Sequence, residues 1–198
     1  MAENHAGITE AMRKLADEWD EQINQAKQEF VVFLLGPGYP TITQDFRKSV
    51  TTCLMERGYK AILMREISYE AEPNSVNPLR DKFWYIVRRF NIRLFVCIFP
   101  SGGKTHAVIS EVAYIEERCG SEQAAHLCRF CFSDDFSVLA NIPQYTKNLL
   151  TEVNTVRYCD FNPACIAWTI ERIIDNEIRE IKGGNRSQYD CLEISDTL

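Results

Sequence analysis

The side chain best placed for chemistry in this sequence is Glu111, which follows a strand and a glycine-containing loop. The strand is predicted at Ile92 to Phe99, because an apolar run rich in β-branched and aromatic residues is typical of a strand buried on both faces of a parallel sheet. Residues 100–103 end it, since proline cannot continue a central ladder and paired glycines favour a sharp turn. A helix is predicted from Lys104, which puts Glu111 about two turns into it. Open α/β sheets usually bind ligands beside the carboxyl ends of their strands, so we expect this carboxylate at the ligand-binding edge.

A second glycine-containing loop follows the first predicted strand, Phe30 to Leu35. Its residues are Gly36, Pro37, Gly38, Tyr39 and Pro40. The next helix is predicted to begin with Thr43 as its N-cap. A strand, a glycine-rich loop and a helix form the layout of a phosphate cradle, although the spacing matches neither the dinucleotide fingerprint nor a Walker A loop. An ordinary strand-to-helix turn explains the loop equally well.

A carboxylate beside two glycine-containing loops suits chemistry at an anomeric carbon. Cleavage of an N-glycosidic bond develops oxocarbenium character on the ribose, which a fixed carboxylate can stabilise. We therefore predict Glu111 as the catalytic residue. The predicted substrate-binding residues are Gly36, Pro37, Gly38, Tyr39, Ser101, Gly102, Gly103 and Ser110. Spacing alone favours a plainer interpretation, in which Glu111 is an exposed helix residue.

Five predicted strands alternate with helices along the chain. They are Phe30–Leu35, Tyr59–Ile67, Ile92–Phe99, Ala125–Phe132 and Thr155–Phe161. This alternation predicts a flavodoxin-like three-layer α/β sandwich with a five-stranded parallel sheet in the order 2-1-3-4-5. The topological switch point then lies between the first and third strands, which brings Gly36–Pro40 and Ser101–Glu111 together.

The chain divides into an N-terminal helix at 1–28, one α/β domain at 29–182 and a tail at 183–198. The helix is predicted from apolar residues at helical spacing: Ile8, Met12, Leu15, Trp19 and Ile23. Two roles fit this helix, since it can pack across the sheet or contact a partner. The sequence leaves open whether the protein forms a homo-oligomer.

Composition limits the classes of partner. With 198 residues, a net charge of −6 and a pI near 5.2, the protein is not expected to bind nucleic acid or an anionic membrane surface. The N-terminal segment resembles no signal peptide, and no apolar run approaches the roughly 20 residues that span a bilayer. We expect a cytoplasmic protein whose partner is a small nucleotide or nucleoside.

The eight cysteines are expected to be reduced, since no secretory signal is recognised. Those predicted to be buried are Cys53, Cys97, Cys159 and Cys165. A zinc set of Cys119, His126, Cys128 and Cys131 is disfavoured, because positions 128 and 131 of a strand point to opposite faces. We expect neither a disulfide nor a metal.

The segments FVVFLLGP and IRLFVCIFPSGGKTHAVISEVAYI resemble the TIR-like and nucleoside 2-deoxyribosyltransferase-like superfamily. In that group a Ser/Gly loop precedes a helix-borne glutamate, often as Gly-Thr-x-x-Glu-hydrophobic. Here Gly103-Lys104-Thr105 precedes Ser110-Glu111-Val112, and the resemblance covers roughly residues 29–175.

This resemblance implies that Glu111 cleaves the N-glycosidic bond of NAD or a related nucleotide or nucleoside. NAD would then be a substrate, and no cofactor is expected. The alternative is a catalytically silent nucleotide-sensing or protein-interaction module of the same fold.

Overall fold

The computed structural model describes residues 2–38, 41–100, 104–158 and 162–182. Its strands are β1 (Val31–Leu35), β2 (Lys60–Leu63), β3 (Ile92–Phe99), β4 (Cys128–Ser133) and β5 (Thr155–Tyr158). Its helices are α1 (Ala2–Glu29), α2 (Thr41–Glu56), α3 (Pro78–Phe90), α4 (His106–Cys119), α5 (Ser121–Leu127), α6 (Val138–Asn141), α7 (Gln144–Lys147) and α8 (Pro163–Lys182). A short 3₁₀ helix at Met64–Glu66 follows β2.

The strands form one parallel sheet in the order β2-β1-β3-β4-β5, which confirms the predicted flavodoxin-like sandwich. The sheet separates two apolar cores. One core contains side chains of α3, α4 and α5, and the other contains side chains of α1, α2 and α8. Successive side chains of a strand point to opposite faces of the sheet and so enter the two cores in turn. Phe33 belongs to the first core, and its neighbours Val32 and Leu34 belong to the second.

The central strand β3 has the predicted bounds and lies between β1 and β4. Burial on both faces explains why its sequence is apolar at every position except Arg93. On one face, the ring of Phe83 from α3 stacks on Phe33 of β1 and Phe95 of β3, with centroid distances of 5.5 and 5.9 Å. These contacts fix α3 across the two strands that flank the switch point.

Local sequence sets several helix ends. Gly58, with a φ of +87°, follows α2 in the left-handed conformation that glycine adopts readily at a helix end. Asn162 accepts a hydrogen bond from the backbone N–H of Ala164 at 3.1 Å, and Pro163 begins α8.

The predicted start of β4 and the predicted end of β2 are wrong. Residues 125–127 finish α5 and do not begin β4, because Ala124 and Leu127 pack at helical spacing and Arg129 donates to the carbonyl of His126 at 2.7 Å. Strand β2 ends at Leu63, since the 3₁₀ turn follows it. The strand predicted to reach Phe161 is described only to Tyr158, and residues 159–161 lie outside the described residues.

The predicted N-cap of α2 is also wrong. The helix already begins at Thr41, so Thr43 is not its N-cap. Met55 is 59% exposed, because only Phe46, Val50 and Leu54 fall on the stripe that faces the sheet.

Helix α1 packs on the domain near its C-terminal end. Ile23 is buried, and the Lys27 ammonium lies 2.9 Å from the Asp175 carboxylate on α8. Met12, Leu15 and Trp19 are exposed, so Ile23 is the one buried residue among the predicted apolar positions whose side chains are described. No helix in the described ranges is long and apolar enough to cross a membrane.

Six cysteines are described as free thiols: Cys53, Cys97, Cys119, Cys128, Cys131 and Cys165. Cys128 and Cys131 lie in opposite cores, as the strand period predicts. Cys97 is fully buried and Cys53 partly so, but Cys165 is exposed, contrary to the prediction. Its position on the outer face of α8 explains the difference, while Cys159 lies outside the described residues.

Candidate functional site

The carboxyl ends of β1 and β3 diverge into opposite layers of the sandwich. β1 leads into α2, which packs in one core, and β3 leads into α4, which packs in the other. This divergence marks the topological switch point, where open α/β sheets form their ligand crevice. Leu35 pairs in register with Cys97, so Gly36 lies beside Ile98 at this edge.

Glu111 projects from α4 toward this edge. Val108 and Ile115, three residues before it and four after it, are fully buried, so Glu111 shares the inward side of the helix. The residue as a whole is partly exposed, but its carboxyl oxygen Oε2 is excluded from solvent and has no hydrogen-bond partner within the described residues. Burial raises the pKa of Glu111 to about 8, and the positive charge of Arg47 acts in the opposite direction.

Arg47 projects from α2 across Gly36. A Cβ added at Gly36 would lie 2.8 Å from Cδ of Arg47 and 3.2 Å from the carbonyl oxygen of Ile98. Glycine is therefore required here by the close approach of an arginine and a neighbouring strand. Nε of Arg47 is excluded from solvent, and no hydrogen bond to it exists within the part of the chain that the structure describes.

The charge of Arg47 is under opposing influences. Burial lowers the pKa of its guanidinium, Glu111 raises it, and the like charge of Arg65 lowers it again. Two arginines and one carboxyl group therefore interact at the switch point.

Gln44 connects Arg65 to the loop after β1. The Arg65 guanidinium donates from Nη1 to Oε1 of Gln44 at 2.6 Å. Nε2 of Gln44 in turn donates to the carbonyl oxygen of Gly38. This chain of hydrogen bonds positions the exposed Arg65, at the end of β2, beside the loop.

The structure locates four of the predicted substrate-binding residues. Gly36 and Pro37 are buried at the switch point, and Gly38 is exposed beside Gln44. Ser110 is exposed, and its hydroxyl donates to the carbonyl of His106 in the same helix at 2.9 Å. The remaining predicted residues, Tyr39, Ser101, Gly102 and Gly103, lie outside the described residues.

Arg47, Arg65 and Gln44 were not predicted for the site. A signal for Arg47 exists in the sequence, since it precedes Val50 by three residues and Leu54 by seven. A charged residue at such a position falls on the inward stripe of a helix and needs a partner or a ligand. The Arg65–Gln44 contact joins residues 21 positions apart and follows only from the fold.

The segment that follows β2 and its 3₁₀ turn docks on α3 and α4. The ring of Tyr69 lies 5.2 Å from that of Tyr85, and Asn77 donates to the hydroxyl of Tyr114 at 3.1 Å. Among the described residues, no cluster of three or more His, Cys, Asp or Glu side chains is suited to a metal ion.

Fold and site together define a flavodoxin-like α/β protein with a buried carboxyl group and two arginines at its switch point. No family model and no curated protein sequence matches the chain.

Proposed function

We propose that this protein cleaves or transfers at the N-glycosidic bond of NAD or a related nucleotide or nucleoside, with Glu111 as the catalytic residue. One observation carries the proposal. The Glu111 carboxyl group is buried at the switch point, and its Oε2 atom has no hydrogen-bond partner among the described residues. An ionisable group left in this state at a ligand crevice is suited to chemistry, since burial without a partner costs folding free energy.

The chemistry of the bond fits a buried carboxylate. Departure of the base leaves oxocarbenium character on the ribose, and a negative charge in a site of low dielectric stabilises it strongly. The ionised form of Glu111 performs this role. The carboxyl group is mainly protonated at pH 7 in the unliganded protein, because its pKa is about 8.

Two cations favour the ionised form. Arg47 already lowers the pKa of Glu111. A substrate with a positive charge at its glycosidic nitrogen, such as the nicotinamide ring of NAD, would lower it further. NAD therefore suits the site better than a neutral nucleoside.

The alternative is a catalytically silent nucleotide-sensing or protein-interaction module. Such a module would leave Glu111 exposed or in a salt bridge. Instead the carboxyl group is buried and, in the described ranges, forms no direct ion pair, which favours the enzyme. Our proposal places the enzyme in the cytoplasm, where nucleotides are available and free thiols stay reduced.

The test is incubation of the purified protein with NAD and a panel of nucleosides and nucleotides, with chromatographic detection of the released base. Glu111→Gln should reduce turnover by about a hundredfold or more, because a charge-stabilising carboxylate contributes several kcal/mol to the barrier. Glu117→Gln is the matched control, since Glu117 lies on the same helix and pairs with Arg80 at 2.9 Å on the surface.

Unchanged turnover in Glu111→Gln would remove Glu111 from the mechanism. A parent protein that binds nucleotides without turnover would support the silent module.

A further inference from the structure

The switch point has an excess of positive charge in an otherwise acidic protein. The chain carries a net charge of −6, yet here Arg47 interacts with a second arginine, Arg65, as well as with the carboxyl group of Glu111. Burial lowers the pKa of the Arg47 guanidinium most, and the like charge of Arg65 lowers it further. Glu111 offsets this repulsion only when ionised, and its raised pKa keeps it mainly neutral at pH 7.

Both arginines are held in place, and both have N–H groups that are available to donate to a ligand. Arg47 is fixed by packing against Gly36, and its buried Nε–H group donates no hydrogen bond among the described residues. Arg65 is fixed by one hydrogen bond to Gln44, which leaves further N–H groups of its five available. Unused guanidinium donors beside a glycine loop are suited to phosphate oxygens, which accept bidentate hydrogen bonds.

The surrounding backbone favours the same ligand. The Gly36–Gly38 segment lies between β1 and the start of α2, and both arginines contact residues of this segment directly or through Gln44. The amino end of a helix such as α2, 16 residues long, adds a favourable dipole for an anion.

We infer that Arg47 and Arg65 form an anion subsite beside Glu111 that binds a phosphate group of the substrate. This inference rests on the proposed function and narrows its substrate class. The substrate is a phosphate-bearing nucleotide, either a mononucleotide or a dinucleotide such as NAD, and a free nucleoside is a poor ligand. The phosphate anchors the ribose so that its anomeric carbon reaches Glu111.

Matched ligand pairs test the subsite by calorimetric titration, with Glu111→Gln as the host protein so that no ligand is consumed. Nicotinamide mononucleotide and nicotinamide riboside differ only in the 5′-phosphate, as do AMP and adenosine. We expect the phosphorylated member of the better-bound pair to bind about 10- to 100-fold more tightly, because charge-assisted hydrogen bonds to two arginines are lost without it. Titration with NAD then compares the diphosphate with the monophosphate.

Arginine variants identify the residues that carry this preference. Arg47→Gln and Arg65→Gln should each reduce the affinity ratio within a pair at least about fivefold while leaving riboside or adenosine affinity nearly unchanged. Arg65 is exposed, so its variant is expected to fold even if the buried Arg47 variant does not. Lys48→Gln is the control, because it removes an exposed positive charge from the same helix.

The outcomes separate the subsite from the proposed function. Equal affinities within each pair, no binding of any phosphorylated ligand, or a ratio that survives Arg65→Gln would overturn the subsite. Tight phosphate-dependent binding without turnover in the parent would uphold the subsite and refute the enzyme. Equal turnover of nucleosides and nucleotides would uphold the enzyme and refute the subsite.

Discussion

Arg47 and Glu111 belong to helices on opposite faces of the sheet, yet the charge of each shifts the pKa of the other at the carboxyl edge. Arg47 reaches this edge across Gly36, where any larger residue would collide with its side chain. The interaction exists because the chain leaves β1 and β3 toward opposite layers. A largely buried carboxyl group and a partly buried guanidinium are therefore coupled at the position where this fold binds ligands.

The raised pKa of Glu111 makes stability depend on pH. The folded protein holds this proton up to a pH of about 8, whereas the unfolded chain releases it near 4.5. The contribution of this group to the free energy of unfolding is therefore fully present below about pH 4.5, and it is lost as the pH rises toward 8. Glu111→Gln cannot lose this proton, so its melting temperature relative to the parent should increase by about 5 °C or more between pH 5 and pH 8.

Thermal unfolding followed by circular dichroism at several pH values measures this difference. Glu117→Gln provides the comparison, since its melting temperature should follow that of the parent across the range. A difference for Glu111→Gln that stays constant between pH 5 and pH 8 would show that the carboxyl group titrates normally.

The same pKa predicts the pH dependence of activity. If ionised Glu111 stabilises the transition state, kcat/KM for NAD should rise with pH and level off above about 8. Arg47→Gln should move the midpoint of this rise to higher pH, because it removes the positive charge that lowers the pKa of Glu111. Initial rates of base release from pH 6 to pH 9.5 measure both profiles. A kcat/KM that falls over this range would assign Glu111 the role of a general acid.

Gly36 and Gly38 should respond differently to alanine. At Gly36 the new methyl group would meet Cδ of Arg47 at 2.8 Å and the carbonyl oxygen of Ile98 at 3.2 Å. Overpacking of this kind costs about 1–3 kcal/mol, so Gly36→Ala should lower the free energy of unfolding by that amount. At Gly38 the nearest atom, Nε2 of Gln44, lies 3.8 Å away, and Gly38→Ala should be nearly neutral. Urea denaturation compares the two variants, and equal midpoints would contradict the close packing of Arg47 on Gly36.

The sequence predicts the fold better than the site. Residues 92–99 are apolar except for Arg93, and so long a β-branched and aromatic run is typical of a strand buried on both faces of a sheet. Strand β4 was placed three residues too early, because an apolar run is compatible with either a helix end or a strand. The position of Glu111 on its helix follows from spacing, but its burial depends on side chains from two layers. Arg65 and Gln44 meet only after β2 and α2 have packed, so no local pattern predicts them.

On the face of the sheet opposite α4, a buried ion pair should contribute strongly to the free energy of unfolding. Arg129 on β4 is 3% exposed and pairs with the carboxylate of Glu177 on α8. It also donates to the carbonyls of His126 and Cys128 at 2.7 and 3.1 Å, so the guanidinium is held rigidly beneath the helix. Glu177→Ala would leave this buried charge without its carboxylate, and we expect a loss of about 2–4 kcal/mol in the free energy of unfolding.

Replacing both partners tests whether the loss in the free energy of unfolding arises because the Arg129 charge is buried without a carboxylate. Arg129→Met combined with Glu177→Met should be less destabilised than Glu177→Ala alone, because apolar residues of similar volume tolerate burial. Lys14→Ala breaks the exposed Lys14–Glu18 pair, 3.8 Å long, and should change stability by less than about 0.5 kcal/mol. Chemical denaturation of the three variants beside the parent gives the comparison. A double variant at least as unstable as Glu177→Ala would show that the loss does not arise from an unpaired buried arginine.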